Sequence, residues 1–301
     1  MPLLTRRAMM QGLLAQALWA QPSIAQTVVH RSPTPLAPSA VTHDWTSFLG
    51  PSHNAVSTET PLRRMFPPPL VWEFQSGSGY ASPAVAGNRL VFVHRVGDEE
   101  IVECLHAETG ANQWRFRYPT TYEDRYGYNN GPRSSPVVDG NHVFSIGAEG
   151  KFHALDLETG EVLWRRDFRM EYGATQDFFG VSSSPLVERD VVIVNVGGAE
   201  QACVVGFDRT TGRERWRAGN WGPSYASPVP ATIHGQRRVF VFAGGESNPP
   251  EGGLLSIDPV TGNVDFSVSH RSRTYESVNA ACPVVFGIRS LFLQAIERGA
   301  R

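Results

Sequence analysis

The sequence predicts an all-β fold, a β-propeller of four-stranded antiparallel blades with about four complete blades and a partial fifth. Three observations carry this. A Thr-Gly pair followed four residues after the Gly by an aromatic recurs at Thr109-Gly110…Trp114, Thr159-Gly160…Trp164, Thr211-Gly212…Trp216 and Thr261-Gly262…Phe266. A repeat of roughly 40–50 residues made of short strands is a propeller signature. Ser82-Pro83, Ser135-Pro136, Ser184-Pro185 and Ser227-Pro228 keep the same beat and each opens an apolar run, with Cys282-Pro283 as a fifth copy. Gly87-Asn88 and Gly140-Asn141 fit two-residue hairpin turns between such runs. Each unit therefore reads as Ser-Pro, strand A, tight turn, strand B, loop, strand C, Thr-Gly turn and strand D with its aromatic.

In chain order, Arg6-Arg7 followed by an apolar stretch and by Ser23-Ile24-Ala25 reads as a signal peptide over residues 1–25, with a start that also fits a twin-arginine signal. Residues 26–43 are rich in Pro and Ser and read as a flexible or extended leader. The propeller is expected over 44–301. Leu70-Val71-Trp72-Glu73-Phe74 reads as an isolated strand D, of the kind that completes the last blade of a ring. Blades are expected at about 80–118, 134–168, 182–218 and 225–268. The fifth begins at Cys282-Pro283 and continues to Leu293, and the tail from Ala295 to Arg301 supplies no strand C, Thr-Gly turn or aromatic, so the propeller is expected to be incomplete at its C-terminal end.

Bulk properties narrow the function classes. The formal net charge is −2 over 301 residues, with no basic stripe, which argues against a nucleic-acid partner. No apolar run reaches ~18 residues, so no membrane span is expected. Cys104, Cys203 and Cys282 fall in different repeats at strand-like positions and are expected as small core residues. No Cys-x-x-Cys-His haem attachment is present, and His94, His142, His153 and His234 show no metal-ligand spacing. Asp156, Asp208 and Asp258 precede the turns in register, which fits turn hydrogen bonding rather than catalysis. Trp72, Trp114, Trp164, Trp216 and Phe266 are expected as blade-to-blade packing.

Further motifs carry a family resemblance. Trp45-Thr46-Ser47-Phe48-Leu49-Gly50-Pro51, Tyr126-Gly127-Tyr128-Asn129-Asn130-Gly131-Pro132-Arg133 and Tyr225-Ala226-Ser227-Pro228 resemble an exported bacterial subgroup of the PQQ-like repeat β-propellers, over about residues 44–285. The resemblance implies a quinoprotein-like fold. It points two ways for function: toward non-catalytic propellers such as the lipoproteins that help assemble outer-membrane barrels, and toward dehydrogenases that use pyrroloquinoline quinone with calcium. The adjacent-cysteine pair of many such dehydrogenases is absent here, and their ligand set maps onto no residues of this chain.

Alternating strand directions place the D–A connections and B–C loops on one face of the disc. The long D–A connections hold the candidate ligand face: Tyr122, Asp124, Tyr126, Tyr128, Asn129 and Arg133; Phe178 and Phe179; Trp221 and Tyr225; and Arg271, Arg273, Tyr275, Glu276 and Asn279. Long loops on a rigid scaffold are where binding residues concentrate. The expected protein is an exported, periplasmic or secreted monomer without cofactor or metal, which binds a protein, peptide or glycan on that face. The alternative is a quinone-dependent dehydrogenase or a degenerate relative of one.

Overall fold

The computed structural model describes residues 26–60, 66–174, 178–245, 251–271, 279–286 and 289–291. The segment read as a signal peptide lies outside them. The chain begins with two short strands, β1 (Thr27–Val29) and β2 (Trp72–Phe74). Blade 1 follows as β3 (Ala84–Ala86), β4 (Arg89–Val96), β5 (Glu99–His106) and β6 (Asn112–Pro119). Blade 2 is β7 (Val137–Asp139), β8 (His142–Ile146), β9 (Lys151–Asp156) and β10 (Val162–Asp167), after which α1 (Phe168–Tyr172) forms one helical turn. Blade 3 is β11 (Leu186–Glu188), β12 (Val191–Asn195), β13 (Val204–Asp208) and β14 (Glu214–Ala218). Blade 4 is β15 (Val229–Ile233), β16 (Gln236–Ala243), β17 (Gly253–Ile257) and β18 (Val264–Ser269). β19 (Val284–Phe286) and β20 (Arg289–Leu291) are the first two strands of a fifth. In each complete blade the four strands pair in sequence order.

The repeated phrase has a local cause. Asp156 Oδ1 accepts the N–H groups of Glu158 and Thr159, both at 2.9 Å, and Asp258 does the same for Val260 and Thr261. Asp208 serves the turn of blade 3 in the same way. These Asx turns end strand C and leave the following Gly in the left-handed region, at φ 74° for Gly160 and 66° for Gly212. A register shift between strands C and D then falls beside the aromatic in every complete blade.

That geometry aims each indole at the next blade. Trp114 Nε1 donates to Leu157 O at 2.7 Å, Trp164 to Arg209 O at 3.0 Å and Trp216 to Pro259 O at 3.2 Å. The rings lie on the turn glycines: a Cβ at Gly160 would sit 2.6 Å from Trp114, and one at Gly212 would sit 2.5 Å from Trp164. The buried core accordingly lies between blades. One cluster joins Val91 and Trp114 to Val143 and Leu155, a second joins Phe152 and Trp164 to Val205 and Phe207, and a third joins Ile193 and Trp216 to Val241 and Ile257. Cys104 and Cys203 are buried in these clusters, and burial pushes their thiols up to about 11 and about 12.

A second belt runs along the starts of the inner strands. The backbone N–H of Ser82 donates to Ser135 Oγ, that of Ser135 to Ser184 Oγ and that of Ser184 to Ser227 Oγ, each at 2.9 Å. Inside it, Trp45 pairs with Val85 through two 2.8 Å backbone bonds, and Thr46 O accepts from Val138 N–H at 2.9 Å. The segment from Asp44 thus lies across the first strands of blades 1 and 2.

Three expectations need adjustment. The leader supplies β1, which pairs antiparallel with β2. The lone strand at Trp72 therefore finds its partner in the leader rather than in the last blade, because an unpaired strand leaves its ladder groups unsatisfied. Trp72 still docks as the other indoles do, with Nε1 donating to Ala107 O at 3.2 Å and its ring on Gly110. Phe266 departs from the blade-packing expectation: it is 47% exposed, between Val264 and Val268 on an exposed outer strand. No turn glycine among the described residues meets it, and a phenyl ring has no N–H to anchor it to one.

Replacing Trp164 by Ala is expected to cost about 3–5 kcal/mol, the range for truncating a buried large aromatic. Trp221, which is half-buried against the third cluster, should cost less. Denaturant melts of both variants decide; a costlier Trp221→Ala would contradict the docking account.

His153, 6% exposed, packs at 4.5 Å from the Tyr118 ring in the seam between blades 1 and 2. Burial, aided by the charges of Arg165 and Lys151, brings its pKa down from 6.5 to about 4. The unfolded chain binds a proton below 6.5 that the folded chain refuses until about 4, so this contribution is lost as pH falls through that window. Glu100 in the same seam acts in the opposite sense, since burial raises its pKa. Comparing wild type with His153→Gln between pH 7 and pH 4 (roughly the window of) isolates the histidine. The wild type should lose up to about 3 kcal/mol relative to the variant; a difference constant with pH would contradict this.

Candidate functional site

The D–A connections and B–C loops do share one face. Thr120 N–H donates to Asp98 O at 2.9 Å, Val181 N–H to Ala148 O at 2.8 Å and Gly244 N–H to Gly222 O at 3.1 Å. The A–B and C–D turns meet on the other, as in Leu157 N–H to Asn141 O at 3.0 Å.

On the first face, three D–A connections converge in one aromatic cluster. Tyr126 stacks on Phe178 at 5.8 Å and lies 5.6 Å from Phe179 and 6.2 Å from Tyr128. Phe179 is 5.4 Å from Tyr225, whose hydroxyl accepts the Phe179 N–H at 3.2 Å. Phe178 is buried and forms the floor, while Tyr126 and Tyr128 are 45% and 70% exposed. Arg125 lies over the Phe178 ring at 5.5 Å. The site is a floor of phenylalanine with tyrosine edges turned to solvent.

Two arginines fix its shape. Arg133 pairs with the fully buried Asp124 carboxylate, donates to Phe179 O at 2.9 Å and Asn129 O at 3.2 Å, and stacks over Tyr80 and Phe179. The Asp124 carboxyl is held below its ordinary range: burial alone would raise it, and the Tyr126 N–H and Arg133 bonds outweigh that. Arg95 binds Tyr122 O, Asn130 O and Gly97 O, which clamps the base of the same loop. Asn129 Oδ1 closes the loop on Gly131 N–H at 2.7 Å.

Of the expected residues, Tyr122, Asp124, Tyr126, Tyr128, Asn129, Arg133, Phe178, Phe179 and Tyr225 meet here. Trp221 packs into the core of blades 3 and 4 instead, because its indole finds apolar cover there. Asn279 reaches the cluster's edge through its backbone, with Tyr225 N–H donating to Asn279 O at 2.9 Å, and Arg271 binds Gly245 O nearby. Arg273, Tyr275 and Glu276 lie outside the described residues. Sequence reasoning missed Tyr80, Arg95 and Arg125. Tyr80 had a signal: Tyr80-Ala81-Ser82-Pro83 repeats Tyr225-Ala226-Ser227-Pro228, and Arg133 holds the same place before Ser135-Pro136.

A quinone and calcium site needs a flat slot, a cation and a base in one place. The Tyr126 and Tyr128 rings are inclined by 31°, and the buried acid of the loop, Asp124, is committed to Arg133. Among the described residues no three His, Cys, Asp or Glu side chains group to hold a metal. No helix among the described residues is long and apolar enough to cross a membrane.

A family model described as outer membrane protein assembly factor BamB matches residues 97–285. Among solved structures, BamB from Moraxella catarrhalis is 20% identical, with 65% of this chain covering 54% of that one at a TM-score of 0.43. A europium-containing methanol dehydrogenase is 16% identical, with 70% of this chain covering 45% of that one at 0.50. The quinohemoprotein alcohol dehydrogenase of Comamonas testosteroni is 16% identical, with 69% covering 39% at 0.50. At these identities the likeness is one of fold. The chain spans about half the length of these structures or less. No curated protein matches it.

Removing Arg133 strands the Asp124 carboxylate in a buried place. Arg133→Met is expected to cost about 3–5 kcal/mol, and adding Asp124→Asn should recover part of it, as for other buried pairs broken on one side. Denaturant melts of the two single variants and the double variant check this. Strict additivity of the two costs would show that the pair is not coupled.

Proposed function

The chain belongs to the family described as outer membrane protein assembly factor BamB, and on that premise we propose that it is an exported, non-catalytic, monomeric propeller whose D–A face binds a protein partner. The observation that carries the reading is the set of tyrosines Tyr80, Tyr126 and Tyr128, 59%, 45% and 70% exposed, on loops pinned from beneath by Arg95 and Arg133. Tyrosine offers a large apolar face with a polar tip and loses little side-chain entropy on contact, which is why it is enriched in interfaces. Loops already held in place are not ordered at the expense of affinity. Export rests on the basic start, the apolar stretch and the Ser23-Ile24-Ala25 site.

A photo-crosslinking side chain placed at Tyr128, in the cells that make the protein, tests this. A discrete protein adduct is expected there and not from the same side chain at Leu163, an exposed position on the outer strand of blade 2. Adducts of equal yield at both positions, or none at Tyr128, would refute a protein-binding face. Adducts to a peptide or a glycan alone would move the partner to that class.

Because Asp124 is spent on the loop, we also propose that the protein takes no quinone. Titration with pyrroloquinoline quinone and calcium, followed by absorbance and dye reduction, should give neither saturable binding nor turnover. Saturable binding with turnover would replace the scaffold reading by a dehydrogenase.

A further inference from the structure

A second concave site lies apart from the aromatic face. A cavity of about 390 Å³ opens between the outer strand of blade 1 and strands C and D of blade 2. Tyr118 and Pro119 form one wall. Opposite them, two cross-strand pairs set the chemistry: Arg165 faces His153, and Asp167 faces Lys151. Directly opposed residues of an antiparallel pair project from the same side of the sheet, so all four line the cavity.

Their hydrogen-bonding capacity is unevenly spent. Asp167 Oδ1 already accepts the N–H groups of Arg169 and Met170, both at 3.1 Å, as the N-cap of α1. Glu171 accepts from Arg166 at 2.9 Å and from Asp167 N–H at 3.0 Å. The acids of the lining thus each accept local bonds, and Arg166 is held with them through a further bond to Gly212 O at 2.8 Å. Lys151 donates to Pro119 O at 2.6 Å and Glu149 at 3.0 Å, which leaves one of its three donors. The Arg165 guanidinium makes no ion pair or hydrogen bond to any other described residue. His153 Nδ1 is buried beside it without a partner. What remains uncommitted in this cavity is donor capacity carrying positive charge.

We infer that the cavity between blades 1 and 2 is an anion site that takes a carboxylate or phosphate group of a small ligand, with Arg165 and the free Lys151 donor as its charged contacts and Tyr118 and His153 as its walls. A guanidinium offers a planar two-pronged donor that matches either oxyanion. The neighbouring acids, held by the helix cap and by Arg166, do not compete for it.

The test follows the His153 ring by NMR while inorganic phosphate and, separately, succinate are added to the whole protein at constant ionic strength. Saturable shifts are expected, with the protonation midpoint of His153 moving up from about 4, because a bound anion offsets the Arg165 and Lys151 charges that add to burial in holding it down. Arg165→Gln, at an exposed position, should fold normally and weaken binding about tenfold or more. Arg125→Gln, in the aromatic face, should leave it unchanged, which keeps this result independent of the partner-binding proposal. Saturation by phosphate alone assigns a phosphorylated ligand, and by succinate alone a carboxylate. Shifts that never saturate, or that are the same in Arg165→Gln, would overturn the site.

Discussion

Everything in this fold depends on an indole seated on a glycine of the next blade. A blade is a small sheet that cannot bury its own faces, so the sequence must specify contact between neighbours repeatedly. Here each Trp brings both an apolar ring and one directional bond. The ring fits only where the turn residue has no Cβ, and the Nε1–H donates to a carbonyl of the same turn. The Asx turn that creates the left-handed Gly also presents that carbonyl, so a five-residue phrase supplies both halves of the contact. The serine belt repeats the logic on the inner side, with neutral hydrogen bonds in place of burial.

Seams fixed at both radii leave most of the D–A connections on one face, where the aromatic cluster forms. The aromatic face is built this way. Its rings contribute little to blade packing, and its shape is set by Arg95 and Arg133 reading backbone carbonyls. The charged cavity at the rim has a different origin. It lies between the outer strand of blade 1 and strands C and D of blade 2, so strand pairing rather than a loop decides which side chains share it.

The blades were legible because their signals are local. Thr-Gly with its aromatic, Ser-Pro and the two-residue turns each occupy adjacent residues and recur, and the structure places strands A to D where they predict. The convergence of Tyr126, Phe178 and Tyr225 was legible to the extent that strand direction sorts loops onto faces. What stayed hidden was long-range. Arg95 sits mid-pattern in a strand and reads as an ordinary polar position, yet its guanidinium holds a loop more than one strand away. The strand at Thr27–Val29 was hidden by a Pro- and Ser-rich context, and its partner Trp72–Phe74 lies 43 or more residues further along the chain. Phe266 repeats the motif in sequence, but docking needs a partner turn that no reading of one blade can supply.

The most direct measurement of the docking account is hydrogen exchange at the indole N–H groups, resolved by residue. Trp114, Trp164 and Trp216 donate to backbone carbonyls in buried seams, so their indole protons should exchange only through opening of whole blade interfaces, as slowly as the amides of the core strands. Trp221, half-buried in a loop, should exchange far faster. Indole protons of the three docked residues that exchange as fast as that of Trp221 would contradict the account.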